Sequence, residues 1–148
     1  IGVPNHQRWM NGGKFDGGQL TQSEKDLRDF YKRLLNFSLN SSALMGKYQE
    51  IQWVNRHETQ GYDSGIYAFT RWSDTQKLII VTNFSWLTTS NFELKIPSDI
   101  IQKWNLKDGN YTLTDQLYNN SFIQLQVLNG EGKAKIEIAP SESFIYQL

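Results

Sequence analysis

Glu58 and Asp63 flank the turn at Gly61, and two carboxylates are the smallest set that general acid–base chemistry needs. Carboxylates beside a turn are more often solvated than catalytic, so the pair alone commits to nothing. His6 and His57 are isolated, without the spacing a metal site uses. Cysteine is absent, which excludes disulfides, thiolate ligands and a cysteine nucleophile. There is no Gly-x-Ser-x-Gly elbow, no phosphate loop and no basic patch interleaved with aromatics. The residues therefore assign no catalytic group, no metal and no cofactor.

Lys and Arg number 15 and so do Asp and Glu, so no basic excess points to nucleic acid and no polybasic run to a membrane surface. The longest strongly apolar run, Leu78-Ile79-Ile80-Val81, falls far short of the ~20 residues of a membrane span. The opening Ile1-Gly2-Val3-Pro4 reads as an interior piece of a longer chain, with any signal peptide upstream and out of view. Five Asn-x-Ser/Thr sequons, at Asn36, Asn40, Asn83, Asn110 and Asn119, are what an Asn- and Ser-rich chain gives by chance.

The elements that must position any site fall into two kinds. Residues 1–20 lack periodicity and read as a loop, with glycine pairs around Lys14-Phe15-Asp16. Thr21 and Glu24 then form a capping box, and Leu27, Phe30, Tyr31, Leu34 and Leu35 follow at the spacing of one helix face. After about residue 43 the period changes to two. "EIQWVNR", "SGIYAFTRW", "KLIIVTNFS", "NFELKIP", "NYTLTDQL", "FIQLQVL", "GKAKIEIAP" and "ESFIYQL" read as strands. Turns fall at 62–65, Ser73-Asp74, 107–110, Asn119-Asn120 and Asn129-Gly130, and a single helical turn follows Pro97. The reading is mainly β: an antiparallel sandwich of about eight strands, Greek-key in type, preceded by a loop and one amphipathic helix. The wide apolar face of that helix needs a partner larger than the loop.

The run "IGVPN…RWMNGGKFDGG…LRDFYKRLLNFSLNSSALMGKYQEI" resembles the end of the catalytic barrel in α-amylase-type enzymes, glycoside hydrolase family 13. The match runs through Ile1, Gly2, Arg8 and Trp9, then Leu27, Arg28, Phe30, Tyr31, Leu34 and Leu35, then Ala43, Leu44, Gly46 and Tyr48. "DGNYTLTDQLYNN" and "IAPSESFIYQL" are similar to strands of the C-terminal β-sandwich of such enzymes. The resemblance implies that residues 1–42 are the last loop and helix of the barrel and residues 43–148 the C-terminal domain. It places the nucleophilic Asp and the acid/base Glu upstream of Ile1, so this chain alone is expected to be inactive. It makes Arg8, beside Trp9, the substrate-side residue of the loop. In the family an acidic partner often precedes this arginine; here Asn5, His6 and Gln7 do. An exported bacterial protein, periplasmic or extracellular, fits such a parent.

The aromatics offer a second hypothesis, a glucan-binding module, because sugar C–H faces stack on flat indoles. Trp53, Trp72 and Trp104 read as core. Trp86, in the polar stretch "NFSWLTTSN", is the exposed candidate for substrate binding. The expected partners are the barrel of the parent chain and an α-glucan. Without a barrel, the helix stripe is expected to be hidden by self-association, by the 1–20 loop, or against the sandwich. An unrelated β-sandwich interaction domain is the third alternative.

Overall fold

The computed structural model describes residues 5–118 and 121–148 in two units, Ile1–Leu39 and Asn40–Leu148. The turn expected at Asn119-Asn120 and the residues Ile1 and Gly2 of the family resemblance lie outside the described residues.

The first unit starts with helix α1, Asn5–Met10, and a 3-10 turn, Asn11–Gly13, where the sequence reads as loop. The pattern hid them because six residues are too few to display a helical period. Helix α2, Gln22–Asn40, follows the capping box as expected. The Glu24 N–H donates to Thr21 Oγ1 at 3.4 Å, and the Thr21 N–H donates to Glu24 Oε2 at 2.9 Å. None of its 19 residues is buried.

The second unit is a sheet of eight antiparallel strands: β1 Lys47–Glu50, β2 Ile66–Trp72, β3 Lys77–Asn83, β4 Ser90–Ile96, β5 Gly109–Asp115, β6 Phe122–Leu128, β7 Glu131–Ile138 and β8 Ser143–Gln147. Their order is β1-β2-β3-β8-β5-β6-β7-β4, all hydrogen-bonded in one sheet. β5, β6 and β7 are joined as consecutive hairpins and β4 lies beside β7, which is a Greek-key arrangement. The sandwich description fits in part: a single sheet curls into a half barrel around one core, rather than two separate sheets facing each other. Ala68 and Trp72 of β2 share that core with Phe92 and Leu94 of β4, although these strands lie near opposite ends of the order.

Alternation produces this directly. β7 is strictly alternate, with Gly132, Ala134, Ile136 and Ile138 buried and the residues between them exposed. β3 is buried at Leu78, Ile79, Ile80 and Val81, as a strand covered on both faces must be. Asn129 and Gly130 both have positive φ, at 53° and 76°, and make the tight β6–β7 turn. Asp108 accepts from both of their N–H groups.

One expected strand is a helix. "EIQWVNR" ends β1 at Glu50 and then forms helix α3, Gln52–Glu58. Trp53 is consequently 64% exposed, not core, while Trp72 and Trp104 are buried and meet edge to face. The residue that selects the helix is Asn55, which is fully buried. Its amide donates to the Ile51 and Lys95 carbonyls at 2.8 and 2.9 Å and accepts the Lys95 N–H at 2.8 Å. The side chain thus pairs with edge strand β4 as a neighbouring peptide would, and helix α3 spans from β2 to β4. Helix α4, Ser98–Lys103, is the turn expected after Pro97; its Ile100 and Ile101 are buried.

Candidate functional site

In the first unit the sequence singles out Arg8 and Trp9, and the structure surrounds both. Arg8 Nη1 lies 2.9 Å from Glu24 Oε1 and 3.0 Å from Oε2. The acidic partner that the residues before Arg8 do not supply therefore comes from the first turn of α2. Glu24 also accepts from the Thr21 hydroxyl at 2.9 Å. The Thr21 backbone and side-chain hydrogen bonds, with a smaller contribution from Arg8, hold its carboxyl below the ordinary value. The Arg28 guanidinium sits 3.7 Å from the Trp9 ring centroid, a cation–π contact. Trp9, Leu20, Glu24, Leu27, Arg28 and Tyr31 line a groove of about 360 Å³.

The same cluster explains the glycine pairs. Gly17 has φ +69° and presses on Trp9: a Cβ there would lie 2.6 Å from the ring. The Asn11 amide donates to Asp16 Oδ1 at 2.8 Å, and the Gly18 N–H donates to the same oxygen at 2.8 Å, so the Asp16 carboxyl is held below its ordinary value. Gly12 and Gly13 have nothing within 4 Å of a Cβ and serve only the turn. Leu27 and Tyr31 of that groove continue into Leu35 and Leu39 as one row of α2, at 57, 52, 65 and 83% exposure.

In the second unit Trp86 is 87% exposed on the loop between β3 and β4, where the polar stretch leads one to expect it. Phe84 and Leu87, which the sequence reading passed over, are 67 and 90% exposed beside it. The loop is held from below by fully buried Asn83. Its amide donates to the Thr88 and Ala139 carbonyls at 2.8 and 3.1 Å and accepts the Ser85 N–H at 2.9 Å. Ser85 Oγ accepts from the Thr88 N–H, and the Ser85 carbonyl accepts from the Ser141 N–H.

An aromatic face on β1 and β2 was also missed. Tyr67, Phe69 and Arg71 alternate with the buried Ile66, Ala68, Thr70 and Trp72. Tyr48 and Tyr67 hydrogen-bond through their hydroxyls at 2.9 Å, and both rings lie 5.6 Å from Phe69. That hydrogen bond, with desolvation, pushes the Tyr48 hydroxyl up to about 12. The signal was available: "IYAFTRW" is large and apolar at both parities near its start, which a strand solvated on one face is not.

The carboxylates that opened the sequence reading have structural partners. Glu58 pairs with Lys95 at 2.9 Å. Asp63 accepts from the Gly65 N–H and the Ser90 hydroxyl. His57 stacks on Trp53 with ring centroids 4.5 Å apart, and His6 is exposed. Among the described residues no group of three or more His, Asp and Glu is placed to hold a metal ion. Among the described residues no helix is long and apolar enough to cross a membrane.

Solved structures share this arrangement. An AmyP variant in complex with maltotriose matches with a TM-score of 0.60 at 18% identity, over 90% of this chain and 23% of that one. The chain has the fold of a segment of an α-amylase structure. AmyP in complex with maltose matches with a TM-score of 0.56 at 16% identity, over 86% of this chain and 21% of that one. An Anoxybacillus α-amylase matches with a TM-score of 0.56 at 17% identity, over 84% of this chain and 22% of that one. The chain thus spans less than a quarter of the length of the structures it matches. No protein-family model matches it. No curated protein matches it in sequence.

Proposed function

We propose that the chain is the non-catalytic C-terminal portion of an α-glucan hydrolase. In this reading residues 1–42 complete a catalytic barrel and residues 43–148 form the β domain that braces it. The observation that carries the reading is α2, a helix of 19 residues with none buried and an exposed row at Leu27, Tyr31, Leu35 and Leu39. Helices of this kind owe their stability to packing an apolar face, and monomeric proteins rarely leave such a row in water. A (β/α) barrel is a body of the right kind, because its outer helices each bury one face on the strands. The likeness to amylase segments, at low identity, supports the same parent. Arg8 and Trp9 then stand on the active-site side of the barrel, in the loop after its last strand.

The test is turnover. The 148-residue chain is expected to release no chromophore from a chromogenic maltoside. Turnover that disappears in Glu58→Gln or Asp63→Asn would overturn the proposal, because the chemistry would then reside in the β domain itself.

A further inference from the structure

We propose that the loop of residues 84–88 is a binding platform for a neutral polyol chain, an α-glucan, with Trp86 as the stacking ring. The choice of α-glucan rests on the reading of the parent as an α-glucan hydrolase; the platform rests on the loop itself. Three large apolar side chains, Phe84, Trp86 and Leu87, stand in water at 67, 87 and 90% exposure. A loop free to rearrange would fold them down. This one is fixed at its base by the buried Asn83 amide, by Ser85 and by the Phe84 N–H bond to the Gly65 carbonyl at 2.8 Å. Among the described residues Trp86 makes no ring contact, so its faces are open.

The surroundings select the class of ligand. Ser85, Thr88 and Thr89 put hydroxyls in the same loop, Ser141 is tied to it through the Ser85 carbonyl, and residues 84–92 contain no charged side chain. The charged groups bonded to this stretch and its base are Asp63, bound to Ser90, Glu142, which accepts from the Ala139 N–H, and one cation, Arg56, which donates to the Ser64 carbonyl. An anionic lipid surface or a phosphate backbone finds no cation within the loop, whereas a neutral sugar chain offers C–H faces to the indole and hydroxyls to the polar side chains. A rigid platform also matters for sugars, whose weak contacts leave little to offset the ordering of a mobile loop.

The experiment titrates the 148-residue chain with maltoheptaose, followed by calorimetry and tryptophan fluorescence. Saturable binding is expected in the wild type, with a loss of about tenfold or more in Trp86→Ala, the scale of removing one stacked ring. Trp86→Tyr is expected to retain more affinity than Trp86→Ala. Phe122→Ala, at another exposed ring, on β6, is expected to change nothing. Because Trp86 is so exposed, its variants should melt with the wild type, and the comparison stays readable. Unchanged affinity in Trp86→Ala, no binding of maltoheptaose, or Trp86-dependent binding to phosphatidylcholine vesicles instead would each overturn the proposal. None of these outcomes bears on the inactivity or the parentage of the chain, which are read from turnover and from mass.

Discussion

Replacing Asn55 by alanine is expected to open the seam between helix α3 and edge strand β4. The side chain makes four hydrogen bonds: to the Ile51 and Lys95 carbonyls, from the Lys95 N–H and from the Thr59 hydroxyl. Alanine leaves the Ile51 carbonyl its longer bond from the Asn55 N–H, at 3.4 Å. It orphans both backbone groups of Lys95 and the hydroxyl of Thr59, which is only 9% exposed. Each orphaned buried group costs ~1–3 kcal/mol. Lys95 is half-buried on an edge where water can enter, and the Thr59 hydroxyl can rotate, so the low end of the range applies. The sum is about 3–5 kcal/mol, against a total of ~5–15 kcal/mol for a domain. With a urea slope of ~1–3 kcal/mol per molar, the unfolding midpoint should fall by about 2 M. Asn55→Asp keeps the acceptor for Lys95 and Thr59 but loses the donor and buries a charge, so it should rank with alanine rather than with the wild type. A midpoint shift below ~0.5 M for both variants, at unchanged slope, would refute the idea that this amide closes the sheet.

Gly17→Ala should loosen the first unit: the positive φ costs a side chain ~1–2 kcal/mol, and the new Cβ meets Trp9 at 2.6 Å. Hydrogen exchange of the first turns of α2 should report this, with Gly12→Ala, where nothing lies within 4 Å, showing the smaller backbone effect alone. Leu35→Glu with Leu39→Glu should leave the melting temperature of the chain unchanged and lower its apparent mass by light scattering if the stripe drives self-association at high concentration. A drop in melting temperature would mean that the chain already buries these leucines. Acid should release α2 first. Glu24 is held below its ordinary value of 4.5, so its contribution is complete above that value and is lost as pH falls through the lower folded value. Exchange of residues 22–28 should therefore accelerate below about pH 4.5 in the wild type but not in Glu24→Gln, which has no carboxyl to titrate.

The strands were legible because their patterns are strict: β7 alternates without a break, and β3 carries an unbroken apolar run from Leu78 to Val81. The capping box marked the start of α2 for the same local reason. What stayed hidden is set by distant partners. Glu50 to Arg56 alternates well enough to read as a strand, whereas the fit of Asn55 to the Lys95 backbone, with the Glu50 carboxylate accepting the Trp53 N–H, favours the helix. That misreading also carried Trp53 into the core. At Arg8 the neighbours in sequence suggest no acidic partner, because Glu24 arrives from the next helix. Trp86 was legible from polar company alone, whereas Phe84 and Leu87 were not, since an apolar residue next to a strand end is buried more often than exposed.

The size of the polypeptide that carries this sequence in its native cells tests the central claim most directly. An antibody raised against residues 40–148 should detect a chain several times larger than 17.2 kDa, co-purifying with α-glucan hydrolase activity. A polypeptide of about 17.2 kDa that carries no such activity and associates with no larger chain would contradict the account.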